Sequence, residues 1–305
     1  MIFTTQPMQE ILPLLQKQLL LNTSVSFTVL HPDISLESYA GELITIEHTT
    51  YIYRGLKAWI DLAELLQCKM SLPKEIGQTI TITYTKLHKS SFHHDIKERE
   101  KYGITSIFAQ IYKMEEPAFI YYYLQALQNV NITKRSKILN LGVNRGDEFT
   151  VIKNLIDIKS YNKLSFTGID YSQSAIKSAK EQFKENNVTF YTHDINEIEN
   201  LGLGKFDLLI SIGTLQSPSI PFKPFFMKLV QEYLKKDSAI ILGFPNSRWI
   251  GGEMIYGAKA PNYAMSEMSL LFNDVMFCKK YLQQKKYRVT ITGKHYIFLT
   301  ATKIS

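Results

Sequence analysis

The chain has 305 residues, a formal net charge of +7, and 45% apolar and 12% aromatic residues. That composition supplies enough apolar volume for packed cores and excludes wholesale disorder, and the length suggests two domains at roughly 100 to 200 residues each. No apolar run approaches the roughly 18 residues that span a bilayer. The opening "MIFTTQPMQEILPLL" lacks the basic start and cleavage site of a secretory signal, so a cytoplasmic protein with no membrane partner is expected.

Cys68 and Cys278 are the only cysteines, each read as lying in a helix-like segment with no His or Cys at metal spacing, which argues against a disulfide scaffold and a metal site. Charge is uneven. The first 110 residues are nearly neutral, whereas from Lys223 onward thirteen Lys/Arg face five Asp/Glu. Such an excess is either a lysine-rich solvated surface or a face for anions; no dense Arg/aromatic patch accompanies it, which favours the first.

Residues 1–90 read as a small α+β domain. "MQEILPLLQKQLL" predicts a helix kinked or delayed by Pro13. Strands are expected in "SVSFTVL", "YAGELITIEH" and "TTYIYRG". A helix is expected in "AWIDLAELLQCKM", with Ile60, Ala63, Leu66 and Cys68 near one face, and the period-two alternation of "GQTITITYTKL" predicts a half-exposed strand. Nothing in this domain is a reaction motif. Residues 91–136 are expected to form a polar connecting segment or mobile cover, "KSSFHHDIKEREKYG", and a helix in "EEPAFIYYYLQALQNV", whose acids and proline suit a helix N-terminus.

Residues 137–305 alternate. Apolar strands "KILNLG", "LSFTGID", "VTFYTHD", "FDLLISIG" and "SAIILGF" are separated by helix-like "DEFTVIKNLIDI", "SQSAIKSAKEQFKEN", "INEIENL" and "KPFFMKLVQEYLKK". Apolar strands between amphipathic helices imply a doubly wound α/β unit with a mostly parallel sheet covered on both faces. A last helix, "SLLFNDVMFCKKYLQQKK", precedes two strands, "YRVTITGK" and "HYIFLTATK".

In such a sheet ligands lie outside the carboxyl ends of the strands, so the residues that end each strand carry the functional reading. The first ends in Asn140-Leu141-Gly142-Val143-Asn144-Arg145-Gly146, the second in Asp170, the third in His193-Asp194 and the fourth in Ser211-Ile212-Gly213. Gly142 and Gly146 allow a tight turn, but Asn144 stands where a dinucleotide fingerprint has the glycine that admits a pyrophosphate. A phosphate-free cofactor is favoured over a nicotinamide or flavin. Each of these residues alone is an ordinary turn glycine or helix-capping acid; their order along successive strand ends is the signal.

Together "ILNLGVNRG", "GIDYS", "FYTHDI" and "FDLLISIGTLQS" resemble the motifs of the class I, Rossmann-like S-adenosylmethionine-dependent methyltransferases, over roughly residues 137–302. The resemblance implies S-adenosylmethionine as cofactor and a seven-stranded sheet completed by an antiparallel C-terminal hairpin. It also implies a binding set of Asn140, Gly142, Asn144, Gly146, Asp170, Tyr171, Asp194, Ile195, Ser211 and Gly213. Asp170 would take the ribose hydroxyls, Asp194 the adenine amino group, and Ile195 would offer its backbone N–H. One departure stands out: the family has an acid at the position of Asn140, and an amide lacks the charge that complements the ammonium and sulfonium.

The acceptor side is less legible. No [DNS]-P-P-[YFW] tetrapeptide follows the fourth strand and no cysteine follows the fourth or fifth, which disfavours amino-methylation of DNA and cytosine-C5 chemistry. Candidate catalytic groups are His93 and His94 in the polar segment, Gln216 after the fourth strand and Arg248 after the fifth, where Arg248 could clamp an anionic acceptor and Trp249 or Tyr256 stack on a planar one. A packed satellite core under a long irregular connection is the equal alternative for Trp249, Met254, Met265 and Met268. A small-molecule acceptor is favoured slightly over RNA. The competing reading is a non-catalytic methyltransferase-like domain that binds RNA or a protein partner.

Overall fold

The computed structural model describes residues 1–35, 37–88, 102–258 and 267–304. It divides into two compact units, Met1–Ser91 with Trp249–Ile255, and Phe92–Arg248 with Tyr256–Ser305. The smaller unit thus takes in a segment far along the chain, which linear boundaries had left with the larger one.

The small unit runs α1 (Met8–Leu21), β1 (Ser24–Leu30), β2 (Leu43–Ile46), β3 (Thr49–Ile52), α2 (Leu56–Leu65), β4 (Cys68–Met70), β5 (Lys74–Ile76) and β6 (Thr79–Lys86). Helix α1 continues through Pro13. Strand β6 pairs antiparallel with β1, β4 and β5, and its alternation buries Ile80, Ile82 and Tyr84 against Phe27 and Trp59. Helix α2 is shorter than its pattern predicts. Gln67 adopts φ +54°, so the chain turns out of the helix, and Cys68 lies in β4, not in a helix. Ile60 and Ala63, read as near one face, divide: Ile60 is 46% exposed, while Ala63 faces the core with Trp59 and Leu62.

The large unit runs α3 (Pro117–Asn129), β7 (Lys137–Leu141), α4 (Asp147–Leu155), α5 (Ile158–Tyr161), β8 (Ser165–Asp170), α6 (Gln173–Gln182), β9 (Val188–Thr192), β10 (Phe206–Ile212), α7 (Phe222–Lys228) and β11 (Leu234–Pro245). After β11 the chain passes through β12 (Ser247–Ile250) and β13 (Glu253–Tyr256), most of which belong to the small unit, then α8 (Ser269–Gln284), β14 (Tyr287–Gly293) and β15 (Tyr296–Lys303). One seven-stranded sheet has the order β14-β15-β11-β10-β7-β8-β9. Strands β7 to β11 are parallel; β15 runs antiparallel to both β11 and β14. This is the predicted fold class, a doubly wound, mostly parallel sheet with an antiparallel C-terminal hairpin.

Period-two alternation decides which helix each strand residue meets. In β7, Leu139 and Leu141 join the core with Phe226 and Leu282, while Ile138 joins the opposite core with Phe149 of α4 and Tyr123 of α3. Asn140 shares the parity of Ile138 and therefore sits on the α4 face. Every residue of β10 is buried, which explains its uninterrupted apolar reading.

Two segments depart from their patterns. The helix expected to continue to residue 236 ends at Tyr233 after one wide turn, and Leu234 already pairs with Phe206 at the start of β11. The connection after the fifth strand, expected to be irregular, contains the β12–β13 ribbon, turned at Gly251 and Gly252 with φ +55° and +84°. Among the described residues no helix is long and apolar enough to cross a membrane.

Candidate functional site

The strand order reverses between β7 and β10, so their carboxyl ends form the topological switch point where α/β sheets take ligands. The hinge after β7 is shaped by three residues in the left-handed region: Gly142 (φ +73°), Asn144 (φ +47°) and Gly146 (φ +85°). Its approach to the loop after β10 is close. A Cβ at Gly142 would lie 1.8 Å from Thr214 Oγ1, so no side chain fits there without moving that loop. Gly146 then hands the chain to α4, whose first turn begins with Asp147 and Glu148.

Asp170 ends β8 and is fixed from two sides. The backbone N–H of Asn144 donates to Oδ2 and that of Ser172 to Oδ1, both at 2.9 Å. Burial pushes its carboxyl above the ordinary range, with the N–H groups of Ser172, Asn144 and Tyr171 pulling it back and the charge of Glu148 adding to the rise. Tyr171 beside it is 41% exposed. At the end of β9, Asp194 accepts from Asn196 N–H at 2.9 Å and caps the short turn Ile195–Leu201; Ile195 is buried. The neighbouring Asn196 Oδ1 is buried with no hydrogen-bond partner among the described residues. His193 contacts the Glu197 carbonyl through Nε2 at 2.9 Å, a turn-capping role.

The residues ending β10 divide. Ser211 is 2% exposed and donates to the Leu141 carbonyl at 3.2 Å, so its hydroxyl staples β10 to β7 instead of facing a ligand. Gly213 (φ +75°) donates to the Gly243 carbonyl at 2.8 Å. Gln216 has a buried Oε1 without a partner among the described residues, and Arg248 donates from Nη1 to the Gly257 carbonyl at 3.1 Å. His93 and His94 lie outside the described residues.

Sequence reasoning missed a second layer behind the hinge. Asn140 is 1% exposed, and its Nδ2 reaches Glu148 Oε2 at 3.4 Å; Glu148 Oε1 is 2.8 Å from Lys113 Nζ. Burial alone would lower the Lys113 ammonium, but the carboxylate and the nearby Tyr296 outweigh it and hold it above its ordinary value. The chain ahead of α3 also covers the hinge. The Tyr102 carbonyl accepts from Asn144 Nδ2 at 2.9 Å, and Ile104 N–H donates to Ser174 Oγ at 3.1 Å. The polar composition of that stretch hinted at a cover; no pattern pointed to the Lys113–Glu148 pair.

The fold and this edge define a doubly wound α/β protein whose strand-ending residues gather at the switch point between β7 and β10. The sequence profile of a family described as "Methyltransferase domain" matches residues 132–291, more than half of the chain. The chain therefore belongs to that family.

No curated protein sequence matches the chain. Several solved structures are similar to it. The plantazolicin methyltransferase BpumL in complex with SAH matches at a TM-score of 0.47 and 13% identity, covering 70% of this chain and 93% of that one. The N-methyltransferase NodS from Bradyrhizobium japonicum WM9 matches at 0.42 and 13%, covering 63% and 99%. Precorrin-6y C5,15-methyltransferase from Geobacter metallireducens GS-15 matches at 0.42 and 12%, covering 60% and 88%.

Proposed function

We propose that the chain moves a methyl group from S-adenosylmethionine to a small-molecule acceptor, with the cofactor held along the ends of β7, β8 and β9. The observation that carries the reading is the fixed carboxylate of Asp170. The N–H of Asn144 holds one oxygen and that of Ser172 the other, so the carboxylate is oriented before a ribose hydroxyl arrives. The unpartnered, buried Asn196 Oδ1 beside Asp194 fits an adenine amino group in the same way. Gly142 and Gly146 bring the backbone close to the ligand, and the amide of Asn140 stands near the methionine end.

When bound, the cofactor supplies an electrophilic methyl on a positively charged sulfur. The residues of the chain orient: Asp170 and Asp194 fix sugar and base, and the loops after β10 and β11 hold the acceptor in line. Held there, the acceptor's lone pair would face a methyl that the cofactor would supply. Alignment of this kind contributes on the order of 7–11 kcal/mol to lowering such barriers. A base is required only for an acceptor that must lose a proton first.

A second reading, an RNA- or protein-binding domain without catalysis, draws on charge. A depression of about 350 Å³ is lined by Lys205, Lys235, Lys236, Lys285 and Lys303 with Tyr287. These lysines cluster where β10 and β11 begin, the opposite edge from Asp170, so a polyanion there would not be presented to the methyl. Small-molecule transfer is therefore the favoured reading.

The test is a thermal titration with S-adenosylmethionine and S-adenosylhomocysteine. A ligand that binds only the folded state, at about a hundred times its dissociation constant, adds about 2.7 kcal/mol of stability. A rise in Tm with both is expected. A flat response at millimolar ligand sinks the proposal, and retention on RNA that weakens steeply with salt would then favour the second reading.

A further inference from the structure

The carboxyl end of β11 holds polar groups that the fold itself leaves unmatched. Asn246 follows Pro245, the last residue of β11, and is 2% exposed. Its amide orientation is set, because Nδ2 donates to the Lys294 carbonyl at 3.0 Å and a flipped amide would bring two oxygens together. Oδ1 then has no partner among the described residues, at a buried position where an unmatched acceptor is destabilising.

Two residues on, Arg248 is partly buried, and that burial lowers its guanidinium from the ordinary value. No carboxylate among the described residues lies within ion-pair distance of it. Among the described residues one of its five N–H groups is used, on the Gly257 carbonyl. Gly257 N–H in turn donates to the Asn246 carbonyl at 2.8 Å, so the two residues are tied to one another through Gly257. On the neighbouring loop, after β10, Gln216 adds a second buried amide oxygen without a partner among the described residues.

A partly buried cation without a counterion among the described residues, two residues along the chain from an orphaned acceptor and tied to it through Gly257, defines a ligand chemistry. A cationic acceptor would be repelled by Arg248. A wholly apolar one would leave both groups desolvated and unmatched, which is costlier than leaving them as they are. An oxyanion satisfies the guanidinium but is repelled by Asn246 Oδ1 unless it carries a neighbouring N–H or O–H.

We propose that the end of β11 is the acceptor site for a small molecule bearing an oxyanion next to an N–H or O–H group, with Arg248 holding the anion and Asn246 Oδ1 taking the hydrogen. The proposal rests on the methyltransferase reading above for the word acceptor. Its ligand chemistry stands on these residues alone.

The experiment uses the full chain with fluorotryptophan at its two tryptophans, Trp59 and Trp249, the second bonded directly to Arg248. Acetate and glycolate, which differ by one hydroxyl, are titrated at constant ionic strength with and without S-adenosylhomocysteine, and the fluorine NMR signals are followed. The Trp249 signal should move saturably while Trp59 stays still. Glycolate should saturate about three- to tenfold lower than acetate, the worth of one neutral hydrogen bond. Arg248→Met should abolish the Trp249 shift. Arg248→Lys, which keeps the charge and loses the fork, should retain a weaker one.

An unmoved Trp249 signal, equal saturation by the two anions, or unchanged titrations in Arg248→Met and Arg248→Lys overturn the proposal. If Arg248→Met fails to fold, the acetate–glycolate difference and Arg248→Lys still decide it. Failure of S-adenosylhomocysteine to raise Tm counts separately, against the methyltransferase reading, and leaves the glycolate result intact.

Discussion

The ends of β7 and β8 and the ends of β10 and β11 lie on one edge of the same sheet, yet they treat their polar atoms differently. At Asp170 both carboxylate oxygens already accept backbone N–H groups, and Asn144 uses its own N–H and its side-chain amide. At Gln216 and Asn246 the amide oxygens are buried and unmatched, and Arg248 carries a charge without a counterion among the described residues. A ligand that never changes is served by groups fixed before it arrives, because no ordering remains to be done on binding. Groups that await the acceptor mark the half of the site that is complete only with it.

Removing the fixed half should have the largest effect. Asp170→Ala deletes two charge-assisted hydrogen bonds, each worth roughly 1.5–3 kcal/mol. We expect S-adenosylhomocysteine affinity, measured by calorimetry, to fall at least about a hundredfold. An affinity within tenfold of the wild type would refute the ribose role.

The free protein gives a second readout, with a definite sign. Burial raises the folded-state pKa of Asp170, so its ionisation opposes folding: that cost is absent below the unfolded value and present once pH has risen through the folded one. The substitution also orphans two N–H groups at every pH. Asp170→Ala should therefore look more destabilising near pH 4 than at pH 7 in denaturant titrations.

Next in size is the buried pair behind the hinge. Glu148→Gln leaves Lys113 without its carboxylate, and breaking such a pair from one side costs about 3–5 kcal/mol. Replacing both partners by methionine should recover most of that loss. Because Lys113 is held above its ordinary value, its contribution is complete at neutral pH and is lost as pH rises through its folded pKa, so on the alkaline side the deficit of Glu148→Gln should persist until strong alkali. Cofactor affinity is the sharpening measurement: a large drop would make Asn140, held by Glu148, part of the fixed half.

What was readable in the sequence follows from the range of the interactions. Alternation, turn glycines and strand-ending acids are local, and they located β7 to β11, the hinge and Asp170 to within a few residues. The Lys113–Glu148 pair joins residues 35 apart in sequence through a parity that places Asn140 on the α4 face, and neither residue has a local signature. The same limit misplaced Cys68. Its helical spacing was genuine, but the left-handed Gln67, an uncommon conformation for a residue with a Cβ, turned the chain into a strand paired with β6. The unmatched oxygens of Asn246 and Gln216 are properties of burial, which a single chain of letters does not carry.

The smallest effect tests the border between the two halves. Ser211 has the position of a cofactor-contacting residue, yet its hydroxyl is committed to the Leu141 carbonyl across the switch point. If that staple is its whole role, Ser211→Ala should cost about 1 kcal/mol of unfolding free energy, the net worth of one neutral hydrogen bond. S-adenosylhomocysteine affinity should stay within about twofold, since the lost group touches only the chain. A tenfold loss of affinity at unchanged stability would mean that the hydroxyl rotates to the ligand on binding, and that the fixed half extends one strand further than the free structure places it.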